Sequence, residues 1–269
     1  MNISHLELRS KKLRKKIFQS VYEGKGGHIG GSFSVIDMLN YLYSEVLYFD
    51  SNNPELESRD RLVFSKGHSC LALYWILCES GFFNEELIKS YGTDNSVFAG
   101  HPEFNKGSGI EISSGSLGHG PSIGVGMAHA LKLKKSNGRV FVIVGDGESN
   151  EGSVWEAAMS ASQLKLDNFY IIVDNNGMES LDRTDNIMSI EPIDKKFNSF
   201  GFDVVRANGH DFKDIDSAFK SLPLNNSKPK CIISDTVKAY GLSFTAGISK
   251  WHYRAPDKEE YIMGLKELS

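Results

Sequence analysis

The sequence predicts an α/β fold with one doubly wound, mostly parallel β-sheet and helices on both faces. Short apolar runs that stop at glycine or polar turns indicate buried parallel strands, most clearly at 140–145 and 169–173. Segments with helical spacing of apolar residues separate such runs, and this alternation is typical of parallel sheets. Because no internal repeat, low-complexity tract or long linker divides the chain, we expect a single domain over residues 1–269.

The amino-terminal segment is predicted to be helical. Apolar residues recur at helical spacing from Ser4 to Glu23, and the other side of this amphipathic helix is rich in lysine and arginine. We interpret the basic side as a solvated face, with membrane binding as the alternative. The glycine-rich segment 24–32 predicts a flexible loop, after which Ser34 or Asp37 would begin the next helix.

The remaining elements continue the alternation of strand and helix. Each predicted strand is a short apolar run, and each predicted helix carries apolar residues at helical spacing. In chain order they are a strand at 61–65, a helix at 71–77, an irregular loop at 98–114, a helix at 123–135, the strand at 140–145, a helix at 154–164, the strand at 169–173, a strand within 198–205, a helix at 212–221 and a strand at 229–236.

Composition excludes some classes of partner. The formal net charge is −4 and the isoelectric point is near 6.1, so the chain has no overall basic field for nucleic acid. No apolar stretch approaches a membrane span, and the amino end has no signal-peptide core, so we expect a cytoplasmic protein without membrane contact. Cys70, Cys78 and Cys231 lack metal-ligand spacing and are expected to be buried free thiols.

Polar residues follow the two clearest strands where each strand ends. Asp146 lies in a Gly-Asp-Gly turn after the first strand, and Asn176 closes an Asp-Asn-Asn segment after the second. The carboxyl ends of parallel strands form the edge where open α/β sheets bind ligands. Hard oxygen donors without nearby histidine or cysteine suit Mg²⁺ or Ca²⁺. Such an ion would still lack several ligands, which diphosphate oxygens usually supply.

Four histidines lie in loops, where functional residues concentrate. An imidazole can donate to phosphate and sugar oxygens and can move protons near pH 7. A structural or merely exposed histidine is the alternative for each of His28, His68, His101 and His252.

These motifs together resemble the amino-terminal third of transketolase. The Gly-Asp-Gly turn, the spacer and the Asn-Asn pair resemble the thiamine diphosphate signature. The histidine loops occur in family order around it, and the resemblance covers nearly the whole chain. The length matches the split form, in which this third is a separate polypeptide. The motifs that carry the resemblance are Gly27-His28-Ile29-Gly30-Gly31, Ser65-Lys66-Gly67-His68, Gly100-His101-Pro102-Glu103, Ser114-Gly115 to Gly120, and Asp235 to His252.

The resemblance implies a metal and cofactor site. Asp146 and Asn176 would coordinate Mg²⁺ (or Ca²⁺) through side-chain oxygens, and Met178 through its backbone carbonyl. The N–H of Gly147 would bind the diphosphate of thiamine diphosphate. Contacts to the aminopyrimidine, or support of the bent cofactor, are implied for Gly115 and Leu117.

The resemblance also implies roles for the four histidines. His28 and His101 would face sugar hydroxyls near the reactive carbon, and His68 and His252 would lie beside the diphosphate, so that His28, His101 and His252 are the expected catalytic residues. Two acidic positions at the family's subunit boundary match Glu151 and Glu156, for which an exposed helix face is an equally good interpretation.

The implied activity is transfer of a two-carbon ketol unit between sugar phosphates. The glutamate that activates the cofactor belongs to a pyrimidine-binding domain, so the resemblance implies a C-terminal transketolase-like partner subunit. We expect a heterotetramer or a homodimer of this chain. One alternative is a subunit of a specialised-sugar or deoxyxylulose-phosphate-synthase-like carboligase. Another is a non-catalytic, cofactor-binding scaffold subunit.

The chain departs from the family pattern at three places. The usual Gln/Ser-Ile-Asp-Gly segment after the Asn pair reads Glu179 to Thr184, and Thr-x-Lys-Gly-x-Gly reads Thr236 to Gly241 with alanine at the first glycine. The glycine after the last histidine is Tyr253. These departures leave the metal motif intact, so we expect cofactor binding to survive while the identity of the sugars stays open.

Overall fold

Five parallel strands form one sheet in the computed structural model, which describes residues 1–94 and 96–269. The spatial order is β1-β2-β3-β5-β4, and every neighbouring pair is parallel. The strands are β1 (Arg61–Phe64), β2 (Val140–Gly145), β3 (Phe169–Asn175), β4 (Asp203–Asn208) and β5 (Lys230–Asp235).

Helices connect the strands and frame the sheet. In chain order, the helices are α1 (Ile3–Glu23), α2 (Ile29–Tyr41), α3 (Cys70–Glu79), α4 (His119–Leu133), α5 (Gly152–Gln163), α6 (Thr184–Ile187), α7 (Ile193–Ser199), α8 (Phe212–Ser221) and α9 (Lys258–Glu267). A π-helical turn, Leu42–Val46, extends α2.

The sheet has a hydrophobic core on each face. Successive side chains of a strand point to opposite faces, and in β2 Phe141 and Ile143 join the core formed with α1, α2 and α3. Val140, Val142 and Val144 join the other core, with α4, α5 and α7. Burial on both faces explains why β2 is apolar throughout instead of alternating. The predicted α/β class, with helices on both faces of a parallel sheet, is confirmed.

Two element boundaries were predicted wrongly. The second helix begins at Ile29 and not at Ser34 or Asp37, so Gly30 and Gly31 lie in its first turn. A Cβ on Gly31 would come 2.3 Å from Ser69 Oγ. These glycines therefore permit close packing and do not form a flexible loop.

The second wrong boundary lies before β4. Residues 198–199 end α7, and β4 begins only at Asp203. Gly201 has a φ of +91°, which turns the chain between the two elements. The sequence interpretation also missed α6, α7 and α9. The first is a single turn, and the last is an amphipathic helix that starts with a capping box at Asp257.

The cysteines are free, as expected, but one of them is not fully buried. Cys70, Cys78 and Cys231 are free thiols; the first and third are buried and Cys78 is half-buried. In the described part of the chain, none of the helices has both the length and the apolarity needed to cross a membrane.

Candidate active site

A cavity of about 510 Å³ opens beyond the carboxyl ends of the strands. This is the edge where the loops of an open parallel sheet bind ligands. The eight residues predicted for metal or cofactor binding all line this cavity: His68, Gly115, Leu117, Asp146, Gly147, Asn176, Met178 and His252. The sequence interpretation had placed them in five separate segments, and the fold brings them together.

Asp146 joins the loops that follow β2 and β3. Gly145 pairs with Asp174 in the sheet, so these two strands end side by side. The Asp146 carboxylate accepts the N–H of Gly147 at 2.8 Å and the N–H of Gly177 at 2.6 Å. Burial, and then the charge of Asp174, raises the pKa of Asp146 to about 6. A cation beside this carboxylate would therefore stabilise its ionised form.

A buried ion pair lies next to Asn176. The ammonium group of Lys66 contacts the carboxylate of Asp174, and both side chains are almost fully buried. Ser34 Oγ donates to the same carboxylate at 2.6 Å. Burial is the largest influence and would raise the pKa of Asp174, but the charge and hydrogen bond of Lys66, together with the hydroxyl groups of Ser34 and Thr236, outweigh it and the pKa is lowered. The Asn176 amide donates to Asp174 at 3.4 Å, which orients its oxygen away from this pair, toward the N–H of Met178 at 3.1 Å.

Two lysines, Lys66 and Lys238, line the cavity, and the sequence interpretation gave neither a role. Lys238 follows β5 and donates to the backbone carbonyls of Glu179 at 2.6 Å and Met178 at 3.4 Å. Burial, followed by repulsion from Lys66, lowers the pKa of Lys238 to about 8. Its position after the last strand, like that of Asp146 after β2, is the signal that could have identified it. A bound anion would stabilise both ammonium groups.

The four predicted histidines form one cluster around His28. Its ring centroid lies 5.2 Å from that of His68, 6.0 Å from His101 and 5.1 Å from His252. His68 and His252 line the cavity, whereas His28 and His101 lie outside its lining. A Cβ on Gly115, whose φ is +148°, would come 3.1 Å from His101 Cδ2, so this imidazole stands directly over a glycine that lines the cavity.

Three imidazoles of the cluster, those of His28, His68 and His252, have pKa values lowered enough to be neutral at pH 7. Burial, with the nearby charges of His101 and Lys238, lowers the pKa of His28 to about 4. Burial and then Lys238 lower the pKa of His252 to about 3. Burial lowers the pKa of His68 well below its ordinary value, with Lys66 adding to the effect. Neutral imidazoles can donate a hydrogen bond with one nitrogen and accept one with the other.

The cavity fits a metal-bound diphosphate. It presents carboxylate, carboxamide and carbonyl oxygens at the strand ends, which suit a hard cation. It also presents two lysine ammonium groups, which suit phosphate oxygens. Within the described residues, the buried Nδ1 of His252 has no hydrogen-bond partner. A buried polar atom without a partner on a cavity wall is explained by a ligand that supplies one.

Glu148 and Glu151 line the cavity, and together with Glu156 they differ in exposure. Glu151 and Glu156 are exposed, which agrees with either of their two interpretations. Glu148, which the sequence interpretation left without a role, is buried and accepts the N–H groups of Gly118 at 2.9 Å and Gly145 at 3.0 Å. It thus ties the loop before α4 to the end of β2.

Comparison with known proteins identifies relatives over the full length of the chain. The model of the transketolase thiamine diphosphate binding domain matches residues 8–268. An apulose-4-phosphate transketolase subunit of Phocaeicola vulgatus is 41% identical over 269 residues, which is 100% of this chain and 95% of that protein. The 6-deoxy-6-sulfo-D-fructose transketolase subunit of Clostridium sp. is 35% identical, covering 98% of this chain and 96% of that protein.

Solved structures show the same fold. Transketolase from Campylobacter jejuni superposes on the whole chain with a TM-score of 0.93 and 30% identity. Transketolase from Leishmania mexicana covers 98% of the chain with a TM-score of 0.89 and 26% identity. The chain spans 43% of the first of these proteins and 41% of the second.

Proposed function

The chain belongs to the transketolase family, as a thiamine-diphosphate-binding subunit of a transketolase-type transferase, and from this premise we propose that it transfers a two-carbon ketol unit between sugar phosphates. The proposal rests on one observation. All eight residues expected at the metal and cofactor line a single cavity, which also holds two lysines. A non-catalytic scaffold would have no need of the neutral histidines that stand beside this cavity.

The chain's own residues would bind and orient the cofactor. Asp146 and Asn176 would hold Mg²⁺ through side-chain oxygens, and Met178 through its carbonyl. The N–H of Gly147, the two cavity histidines and the Lys238 ammonium group would donate to the diphosphate, with Gly147 and Lys238 exchanging their present contacts to Asp146 and to backbone carbonyls. Gly115 and Leu117 contact the aminopyrimidine. When bound, thiamine diphosphate supplies an electron sink for cleavage and formation of the carbon–carbon bond.

The outer histidines would act on the sugar. His28 and His101 stand on the side of the cluster that does not line the cavity, with rings 6.0 Å apart. These imidazoles can donate to one sugar hydroxyl and accept from another, and they can move a proton as the ketol unit leaves or arrives. His252 lines the cavity and its ring also lies beside that of His28, so it would contact both cofactor and sugar.

A second chain would complete the site. The two relatives compared above are named as subunits, and we propose a partner that carries the pyrimidine-binding domain and its activating glutamate. A heterotetramer, with two copies of each chain, is the assembly we propose, and residues 1–269 act in it as one cofactor-binding domain. Three free thiols support a cytoplasmic location.

A specialised sugar is the second candidate within this activity. The two relatives compared above are named for apulose-4-phosphate and 6-deoxy-6-sulfo-D-fructose. The departures at Glu179 and Tyr253 lie beside Gly147 and His28, respectively. Changes at these positions favour a substrate that differs from those of common transketolases.

Reconstitution tests the proposed function. The purified chain, the product of the neighbouring reading frame and an equimolar mixture of the two would each be assayed for ketol transfer between ketose and aldose phosphates, with Mg²⁺ and thiamine diphosphate. We expect turnover only from the mixture, because neither chain holds a complete site. Robust turnover by this chain alone, free of other proteins, would contradict the proposal. A mixture that forms a complex but transfers no unit among any tested sugars would support the scaffold alternative.

A further inference from the structure

We propose that Tyr253 is a specificity-determining residue, whose ring forms a wall of the substrate path and favours short aldose phosphate acceptors over longer ones. This inference rests on the proposed function, because it assigns a substrate-facing role to a neighbour of His28. It goes beyond that function by naming the residue that limits the length of the sugar.

Tyr253 is an additional ring at the edge of the histidine cluster. Its centroid lies 4.6 Å from that of His28, with the two planes inclined by 54°. Tyr253 lies outside the lining of the cavity, and 61% of the residue is exposed to solvent. An exposed aromatic ring therefore stands against a half-buried imidazole at the edge of the histidine cluster, where the far end of a long sugar held at His28 would have to extend.

The backbone on both sides of Tyr253 is firmly anchored. Trp251 is 2% exposed, and its carbonyl lies 3.0 Å from the position that a Cβ on Gly30 would take. The Arg254 guanidinium stacks over the Trp251 ring at 4.2 Å and forms an ion pair with Glu260. A Cβ on Gly26 would be 3.0 Å from the Tyr253 hydroxyl, so the ring extends from His28 to the loop before α2.

The consequence for the substrate is steric. An anchored aromatic ring occupies a large volume with an apolar face, and it stands next to the imidazole that would contact the sugar near its reactive carbon. A short acceptor can react without passing this ring, whereas a longer chain must extend past it. Discrimination by the size of a pocket is typically about ten- to two-hundredfold for small differences in the substrate.

Substitutions of Tyr253 in the complex with its partner test the inference. The measurement is the ratio of kcat/KM for ribose 5-phosphate to that for glyceraldehyde 3-phosphate, with one ketose phosphate donor. Thiamine diphosphate affinity is measured in parallel by calorimetry. Tyr253→Ala should raise the ratio roughly tenfold or more. Tyr253→Phe should keep it, because the ring is retained, and Tyr253→Trp should lower it.

The matched control is Tyr48→Ala, since Tyr48 is 59% exposed and lies outside the cavity lining. This variant should keep the wild-type ratio, and cofactor affinity should be unchanged in every variant.

The inference is overturned if Tyr253→Ala leaves the ratio as in Tyr48→Ala, or changes it only with a parallel loss of cofactor affinity. Should Tyr253→Ala not fold, an unchanged ratio in Tyr253→Trp overturns it. A wild-type complex that is silent with both acceptors refutes the proposed function itself, and the assignment of Tyr253 falls with it.

Discussion

The carboxylate of Asp146 accepts the backbone N–H of Gly177 at 2.6 Å, and this contact joins the ends of β2 and β3. The two strands carry the oxygen donors expected for a metal, and the hydrogen bond fixes the distance between their loops. Because Asp146 is buried, its position depends on the fold and not on solvent. The proposed metal site is therefore preorganised by backbone contacts within this chain.

The histidines should separate into two functional pairs. His68→Ala and His252→Ala remove donors on the wall of the diphosphate cavity, and loss of a hydrogen bond to a charged group costs about 1.5–3 kcal/mol, roughly ten- to hundredfold in affinity. His28→Ala and His101→Ala should lower kcat with near-normal thiamine diphosphate affinity, because deleting a donor used only in the transition state affects turnover. Calorimetry and kinetics on the complex with the partner measure both quantities. Equal loss of cofactor affinity in all four variants would show that the loops form one undivided diphosphate site.

The histidine cluster should make stability depend on pH. Burial, followed by the charges of His101 and Lys238, lowers the pKa of His28 from 6.5 to about 4, and His68, His252 and Tyr253 also face this ring. Between these pH values the unfolded chain binds the proton that the folded chain excludes. The contribution of His28 to the free energy of unfolding is therefore fully present above pH 6.5 and is lost as the pH falls toward 4.

Chemical unfolding at pH 7.5, 5.5 and 4.5 checks this dependence. The free energy of unfolding of the wild-type chain should fall more steeply than that of His28→Gln, which cannot bind this proton. His5→Gln, a change at an exposed histidine of α1, should follow the wild type. Parallel curves for the wild type and His28→Gln would mean that His28 is not held neutral by the fold.

Replacing each of two glycines of α4 with alanine should change the free energy of unfolding in opposite directions. A Cβ on Gly124 would come 2.4 Å from Val142 Cγ2 on β2, whereas nothing lies within 4 Å of a Cβ on Gly126. Gly124→Ala should destabilise the chain by about 1–3 kcal/mol through overpacking. Gly126→Ala should stabilise it by up to about 1 kcal/mol, because alanine favours helix. Denaturant unfolding of the two variants measures the difference, and equal effects would show that α4 does not pack this closely on the sheet.

The sequence predicted those parts of the fold that depend on local patterns. β2 and β3 are buried on both faces, so their apolar runs were recognisable, and parallel pairing then placed Asp146 and Asn176 at one edge. The start of α2 was missed because glycines usually indicate loops. Gly31 is instead required by the close approach of Ser69, a contact between segments that a local pattern does not contain.

The lysines of the site were missed for a related reason. Lysine is almost always exposed unless it is paired, so neither lysine was given a role although both lie in motifs of the family. Lys66 is buried because Asp174, far along the chain, neutralises it at the end of β3. Lys238 is buried because its ammonium group reaches the carbonyls of Met178 and Glu179. Such long-range pairings become visible only when the sheet is assembled.

The most direct test is calorimetric titration of thiamine diphosphate into the assembled complex, with and without Mg²⁺, for the wild type, Asp146→Ala and Asp194→Ala. Asp194 lies on α7 outside the cavity lining and serves as the matched control. We predict Mg²⁺-dependent binding in the wild type and in Asp194→Ala. In Asp146→Ala this binding should be lost, while circular dichroism and complex formation stay unchanged. Wild-type affinity in a folded Asp146→Ala complex would contradict the assignment of this cavity as the metal and diphosphate site.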